Sequence, residues 1–73
     1  MGYHAHMSQT LIYSVPAIHC EHCAMSIREE VEELAGVDDV VVDLEAKLVT
    51  VSGRSLDDAA LRAAIEEAGY QAA

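Results

Sequence analysis

Phe and Trp are absent from this chain, Pro occurs once, Tyr three times and Cys twice in 73 residues. With so few aromatics, the core has to be assembled from Val, Leu, Ile and Ala, and a hydrophobic content of 52 % supplies enough of them. That content excludes a disordered chain. The length holds one domain, near the size at which a single core barely offsets chain entropy. Basic residues are also scarce: four Lys and Arg stand against thirteen Asp and Glu, for a formal charge of −9. Such a surface is a poor match for nucleic acid or anionic membrane, and suits a cation or a protein with a basic docking face. Most of these carboxylates need no role beyond solubility. No apolar run approaches the roughly 20 residues of a membrane span, which argues against direct membrane insertion, and the first residues do not form a signal peptide. A reducing cytoplasm is therefore the expected location. A phosphate-binding glycine loop, a Ser/His/Asp set and a carboxylate pair distinct from the general acidity are all missing, so nothing suggests an enzyme.

What the chain does have is concentrated. Residues 19–23 read His-Cys-Glu-His-Cys and hold both cysteines and two of the four histidines. Cys20 and Cys23 are three apart, a spacing at which two thiolates close on one ion, and thiolate is the soft ligand that selects Cu(I) or Zn(II) over magnesium and calcium. A disulfide across so small a loop would add little stability, which argues against a structural one. Two sulfurs with no obligatory third ligand suit Cu(I). Zinc usually takes four ligands, so His19, His22 or a partner residue would have to complete its shell. For each histidine the alternative is an imidazole that orients the loop, tunes thiolate basicity or faces water. Glu21 reads as a solvated charge at a helix start. A thiol–disulfide oxidoreductase also places Cys-x-x-Cys at a helix start. That activity needs a larger fold with a substrate groove, and it is the weakest of the readings.

Residues 1–9 show no periodicity and are expected to be a disordered tail. His6-Met7 is the dipeptide a common cloning site leaves, which puts the native start at Met7 and makes His4 and His6 part of an expression remnant. The domain is expected over 10–73. Leu11, Tyr13 and Val15 alternate with Ile12 and Ser14, a half-buried strand ended by Pro16. Ile27, Val31 and Leu34 then mark an amphipathic helix stopped at Gly36. Val40, Val42 and Leu44, followed by Val49 and Val51 after Glu45-Ala46-Lys47, read as a hairpin. Ser55 and Asp58 have the form of a capping box before a second helix with Leu56, Ala60, Leu61, Ala64, Ile65 and Ala68 on its apolar face. Gly69 ends that helix, and Tyr70 to Ala72 would add a last strand. The order predicts an α+β, ferredoxin-like βαββαβ fold: an antiparallel four-stranded sheet with two helices on one face, and the cysteines on the loop from first strand to first helix.

The run Val15-Pro16-Ala17-Ile18-His19-Cys20-Glu21-His22-Cys23 resembles the Gly-Met-x-Cys-x-x-Cys signature of heavy-metal-associated domains. Gly36 to Leu44 and Gly69-Tyr70 are similar to further stretches of that family, so the resemblance spans about Thr10 to Ala72. Ala17 and Ile18 replace the usual Gly and Met. That Met is a buried anchor rather than a ligand, and Ile18 can fill its place. Within the family the chain looks most like bacterial cytosolic copper chaperones. The resemblance implies Cu(I) held by Cys20 and Cys23 and delivered to a metal-binding domain of a copper-transporting P-type ATPase or to a copper-responsive regulator. It also implies a metal-bridged homodimer and a Tyr70 that packs near the metal loop. The alternatives it leaves are an N-terminal metal-binding domain of a P-type metal ATPase and a zinc or mercury carrier.

Overall fold

The computed structural model describes residues 8–73, so the reading of His4 and His6 lies outside the described residues. Three strands and two helices follow in the order β1 (Gln9–Ser14), α1 (Glu21–Glu32), β2 (Val37–Asp43), β3 (Leu48–Gly53) and α2 (Asp58–Glu67). The first strand begins at Gln9, one residue before the expected domain start, and the Gln9 side-chain oxygen accepts the N–H of Leu56.

The sheet order is β1-β3-β2, and both pairings with the central β3 are antiparallel. β1 and β2 therefore run parallel with β3 between them, as the split β-α-β arrangement requires. Period-2 patterning decides the faces. Tyr13, Val15, Val40, Val49 and Val51 are buried, while Ile12 and Val41 point to solvent at 60 % and 54 % exposure. Ile27 and Val31 of α1 and Leu61, Ala64 and Ile65 of α2 join the same core cluster. Both helices thus cover one face of the sheet, leaving a two-layer domain.

The expected fourth strand does not form. Tyr70 gives its N–H to Ile65 O at 3.1 Å, and only Ala73 reaches the sheet, donating to Ser14 O at 2.7 Å. A single contact is one rung without a ladder, so the described sheet has three strands instead of four. The expected capping box is also replaced. The N-cap of α2 is Asp57, whose carboxylate accepts the Ala59 N–H at 3.0 Å, while Ser55 sits in left-handed backbone with φ 54°. An Asp directly before the first turn reaches the orphan N–H groups better than a Ser two residues further out.

One polar cluster ties α2 to β1. The Tyr13 hydroxyl donates to Asp58 Oδ1 at 2.6 Å, Arg62 pairs with the same carboxylate at 3.1 Å, and its guanidinium lies 5.2 Å from the Tyr13 ring centre. Burial, then the bond to Asp58, raises the Tyr13 phenol to about 12. Among the described residues, no helix is long and apolar enough to cross a membrane.

Candidate metal centre

After β1 the chain turns at Pro16 and Ala17, where the Ile18 N–H bonds back to Val15 O at 3.1 Å. Ile18 is fully buried, so the loop is anchored in the core one residue before the histidine and two before the first cysteine. Ile18 thus takes a buried place, as expected of it. Cys20 is the N-cap of α1, with extended backbone and no side-chain cap bond. Cys23 lies in the first turn and is 6 % exposed. The two sulfurs approach to 3.2 Å as free thiols. With metal–sulfur bonds of about 2.3 Å, the pair has to open from this separation to take an ion, and most for a linear one. The first-turn N–H groups have no intrahelical acceptors, and the helix dipole favours negative charge there.

The structure separates the two histidines. A ring nitrogen of His19 and the sulfurs of Cys20 and Cys23 all lie within 4.8 Å of one another. His22, inside the cysteine pair in sequence, is exposed and is not part of that group. His19 Nδ1 lies 2.8 Å from the Ala17 carbonyl oxygen. A carbonyl can only accept, so Nδ1 is the donor of that contact. An imidazole whose second nitrogen donates to a backbone carbonyl is the usual arrangement of a metal-ligating histidine.

Tyr70 arrives from the far end of the chain. The end of α2 is a Schellman motif: Gly69 N–H bonds to Glu66 O at 2.9 Å and Tyr70 N–H to Ile65 O at 3.1 Å, with Gly69 at φ 97°. The reversal turns Tyr70 toward the cysteine loop. Its hydroxyl is the largest influence lowering the Cys23 thiol from 9.0 to about 7; the Cys20 thiol and the backbone and charge of His19 act the same way, against desolvation. In turn Cys23, with burial second, raises the phenol of Tyr70. In the reduced, metal-free protein, Tyr70→Phe removes a donor to the thiolate, so the Cys23 pKa is expected to move upward from about 7 toward the ordinary 9.0. The pH profile of thiolate absorbance or of Cys23 alkylation reads this directly. An unchanged midpoint would mean the hydroxyl does not contact the sulfur.

Sequence reading took Lys47 only as part of a hairpin connection. The structure places its ammonium on the cysteine loop, donating to Ile18 O at 2.7 Å. The open hollow between α1 and β2, lined by residues such as Met25, Arg28, Val41 and Leu44, includes neither sulfur.

Fold and sulfur pair together define a small α+β domain of the metal-binding class. The chain belongs to the heavy-metal-associated domain family, whose pattern matches residues 12–71. It is 36 % identical over 66 residues to heavy metal-associated isoprenylated plant protein 31 of Arabidopsis thaliana, covering 90 % of this chain but 47 % of that protein, so the chain spans about half the length of this relative. Among solved structures, the copper chaperone Atx1 from Synechocystis PCC6803 is 38 % identical with a TM-score of 0.76, over 86 % of this chain and 98 % of that one. The CopZ metallochaperone superposes with a TM-score of 0.84 at 25 % identity, over 89 % of this chain and all of that one.

Proposed function

We propose that this domain carries Cu(I) on Cys20 and Cys23 and passes it by ligand exchange to a partner metal-binding domain. The observation that carries the reading is the pair of free sulfurs 3.2 Å apart at the start of α1. The likeness to a copper chaperone supports copper as the ion. A partner thiolate attacks the bound Cu(I) to form a three-coordinate, sulfur-bridged intermediate, and the thiolates of this chain then leave one at a time. No copper is released to water. The acidic surface would steer a basic partner face, which adds speed and specificity more than affinity. A metal-binding domain of a copper-transporting P-type ATPase, or a copper-responsive regulator, is the class of recipient, in a reducing compartment. The same site on two copies would give a metal-bridged homodimer at high concentration. The same chemistry would serve an N-terminal domain of a P-type metal ATPase.

A zinc carrier is the second reading, and the convergence of His19 with the two sulfurs favours it. Competition titration of the reduced protein against chromophoric Cu(I) and Zn(II) chelators separates the two. Cu(I) is expected to bind at one equivalent and more tightly than Zn(II). His19→Ala should weaken Zn(II) by at least roughly tenfold, the low end of what loss of an orienting partner alone costs, and weaken Cu(I) less. Zinc binding as tight as copper binding in the parent protein would move the assignment to zinc.

A further inference from the structure

Lys47 holds the loop that carries Cys20 at two points. Its backbone carbonyl accepts the Val15 N–H at 2.9 Å, and its ammonium donates to Ile18 O at 2.7 Å. Val15 and Ile18 are the two ends of the turn at Pro16 and Ala17, closed by the Ile18 N–H on Val15 O. One residue on the β2–β3 connection therefore grips both ends of the turn that leads into His19 and Cys20.

Two further features set this contact apart from an ordinary surface lysine. The chain has four Lys and Arg against thirteen Asp and Glu. Arg28 and Arg62 both pair with carboxylates on their own helices. Lys47 instead gives its charge to a neutral carbonyl. Its backbone is also left-handed, at φ 59°, a conformation that favours glycine over a residue with a Cβ. A lysine thus stands where glycine would be the less strained residue. Asp43 Oδ1 accepts the N–H groups of Glu45 and Ala46 at 2.9 and 3.1 Å, which shapes the connection so that its last residue faces the metal loop.

We propose that Lys47 is a positioning residue of the metal centre: its ammonium fixes the Ile18 carbonyl and so holds the following His19-Cys20 segment where the Cys20 sulfur meets that of Cys23. This rests on the reading of Cys20 and Cys23 as the ion's ligands. A loop held in the binding geometry before the ion arrives loses less freedom on binding, and affinity gains accordingly.

The strained backbone supplies a test that separates positioning from plain stabilisation. Lys47→Gly relieves the left-handed conformation and keeps the carbonyl that accepts from Val15, but removes the ammonium. Lys47→Met removes the same ammonium and keeps the strain, and Lys47→Arg keeps a cationic donor. For the metal-free reduced proteins, amide hydrogen exchange over residues 18–20 and melting temperature would be measured; for the loaded ones, Cu(I) affinity by chelator competition. The expected result is that Lys47→Gly melts no lower than the parent, yet its loop amides exchange at least severalfold faster and Cu(I) is held severalfold more weakly. Lys47→Met shows the same loop and copper defects, and Lys47→Arg restores both. Parent-like loop exchange in Lys47→Gly and Lys47→Met overturns the proposal, as does a lowered melting temperature in Lys47→Gly with an unaltered loop. The exchange arm needs no metal, so it decides the role of Lys47 even if the parent protein fails to bind Cu(I).

Discussion

Cys20→Ser is expected to abolish tight Cu(I) binding while the domain stays folded. A serine hydroxyl is a hard, protonated donor at neutral pH and cannot replace a soft thiolate toward Cu(I). The loss should exceed the roughly 10–100-fold that follows removal of a group that merely orients a ligand. Cys23→Ser should lose copper to the same degree, but the two variants will differ in stability. Cys20 is half-buried at the helix start, whereas Cys23 is 6 % exposed and belongs to the core cluster. Putting a hydroxyl at position 23 replaces a weakly polar thiol, in contact with buried apolar side chains, by a group that needs hydrogen bonds. The melting temperature should therefore fall for Cys23→Ser and stay near the parent value for Cys20→Ser. Chelator competition on both variants checks the metal side, and thermal unfolding of the metal-free proteins checks the other. Tight Cu(I) binding retained by either variant would remove the two-thiolate site.

The largest effect on folding is expected at Gly36. Gly36 and Gly69 look alike in sequence, each following a helix, and both adopt positive φ, 89° and 97°. Their surroundings differ. A Cβ at Gly36 would collide with the carbonyl oxygen of Arg54, whose own N–H bonds Gly36 O at 2.8 Å, while a Cβ at Gly69 would meet nothing within 4 Å. Gly69→Ala should then cost only the left-handed conformation, about 1–2 kcal/mol. Gly36→Ala adds the displacement of a backbone segment beyond β3, and the sum reaches about 2–5 kcal/mol. For a small domain whose whole stability is on the order of 5–10 kcal/mol, that leaves Gly36→Ala marginal at physiological temperature. Urea unfolding of the two variants side by side measures the difference. Equal losses at both positions would show that the close approach of Gly36 to Arg54 carries no energy.

Much of the architecture was legible because short-range rules act strongly in this chain. Alternation at Leu11 and Tyr13 marked the inward face of β1, Val15 carries it one residue past the strand's end, and the burial of Val49 and Val51 follows the same period. The spacing of Ile27 and Val31 marked the inner stripe of α1. Where a reading failed, a competing local interaction had won. Ser55 and Asp58 satisfied a capping pattern, but Asp57 lay closer to the open N–H groups of α2 and took the cap. Tyr70 to Ala72 were expected as a last strand, yet the Schellman turn uses the Tyr70 N–H and Ala73 makes the backbone bond to β1.

At the site, the sequence by itself determined the ligand chemistry. Two cysteines three apart offer a pair of soft sulfur donors, which favour soft cations over magnesium or calcium by the nature of sulfur. Which side chains surround the sulfurs was decided by tertiary structure. His22 is closer in sequence to both cysteines taken together, but helical geometry leaves it exposed, while the buried Ile18 and the turn before it bring His19 to the sulfur pair. Tyr70 and Lys47 come from positions far along the chain, and their meeting with the loop depends on the end of α2 and on the β2–β3 connection. Such contacts leave no periodic trace, because they arise from where whole elements pack and not from the spacing of residues within one.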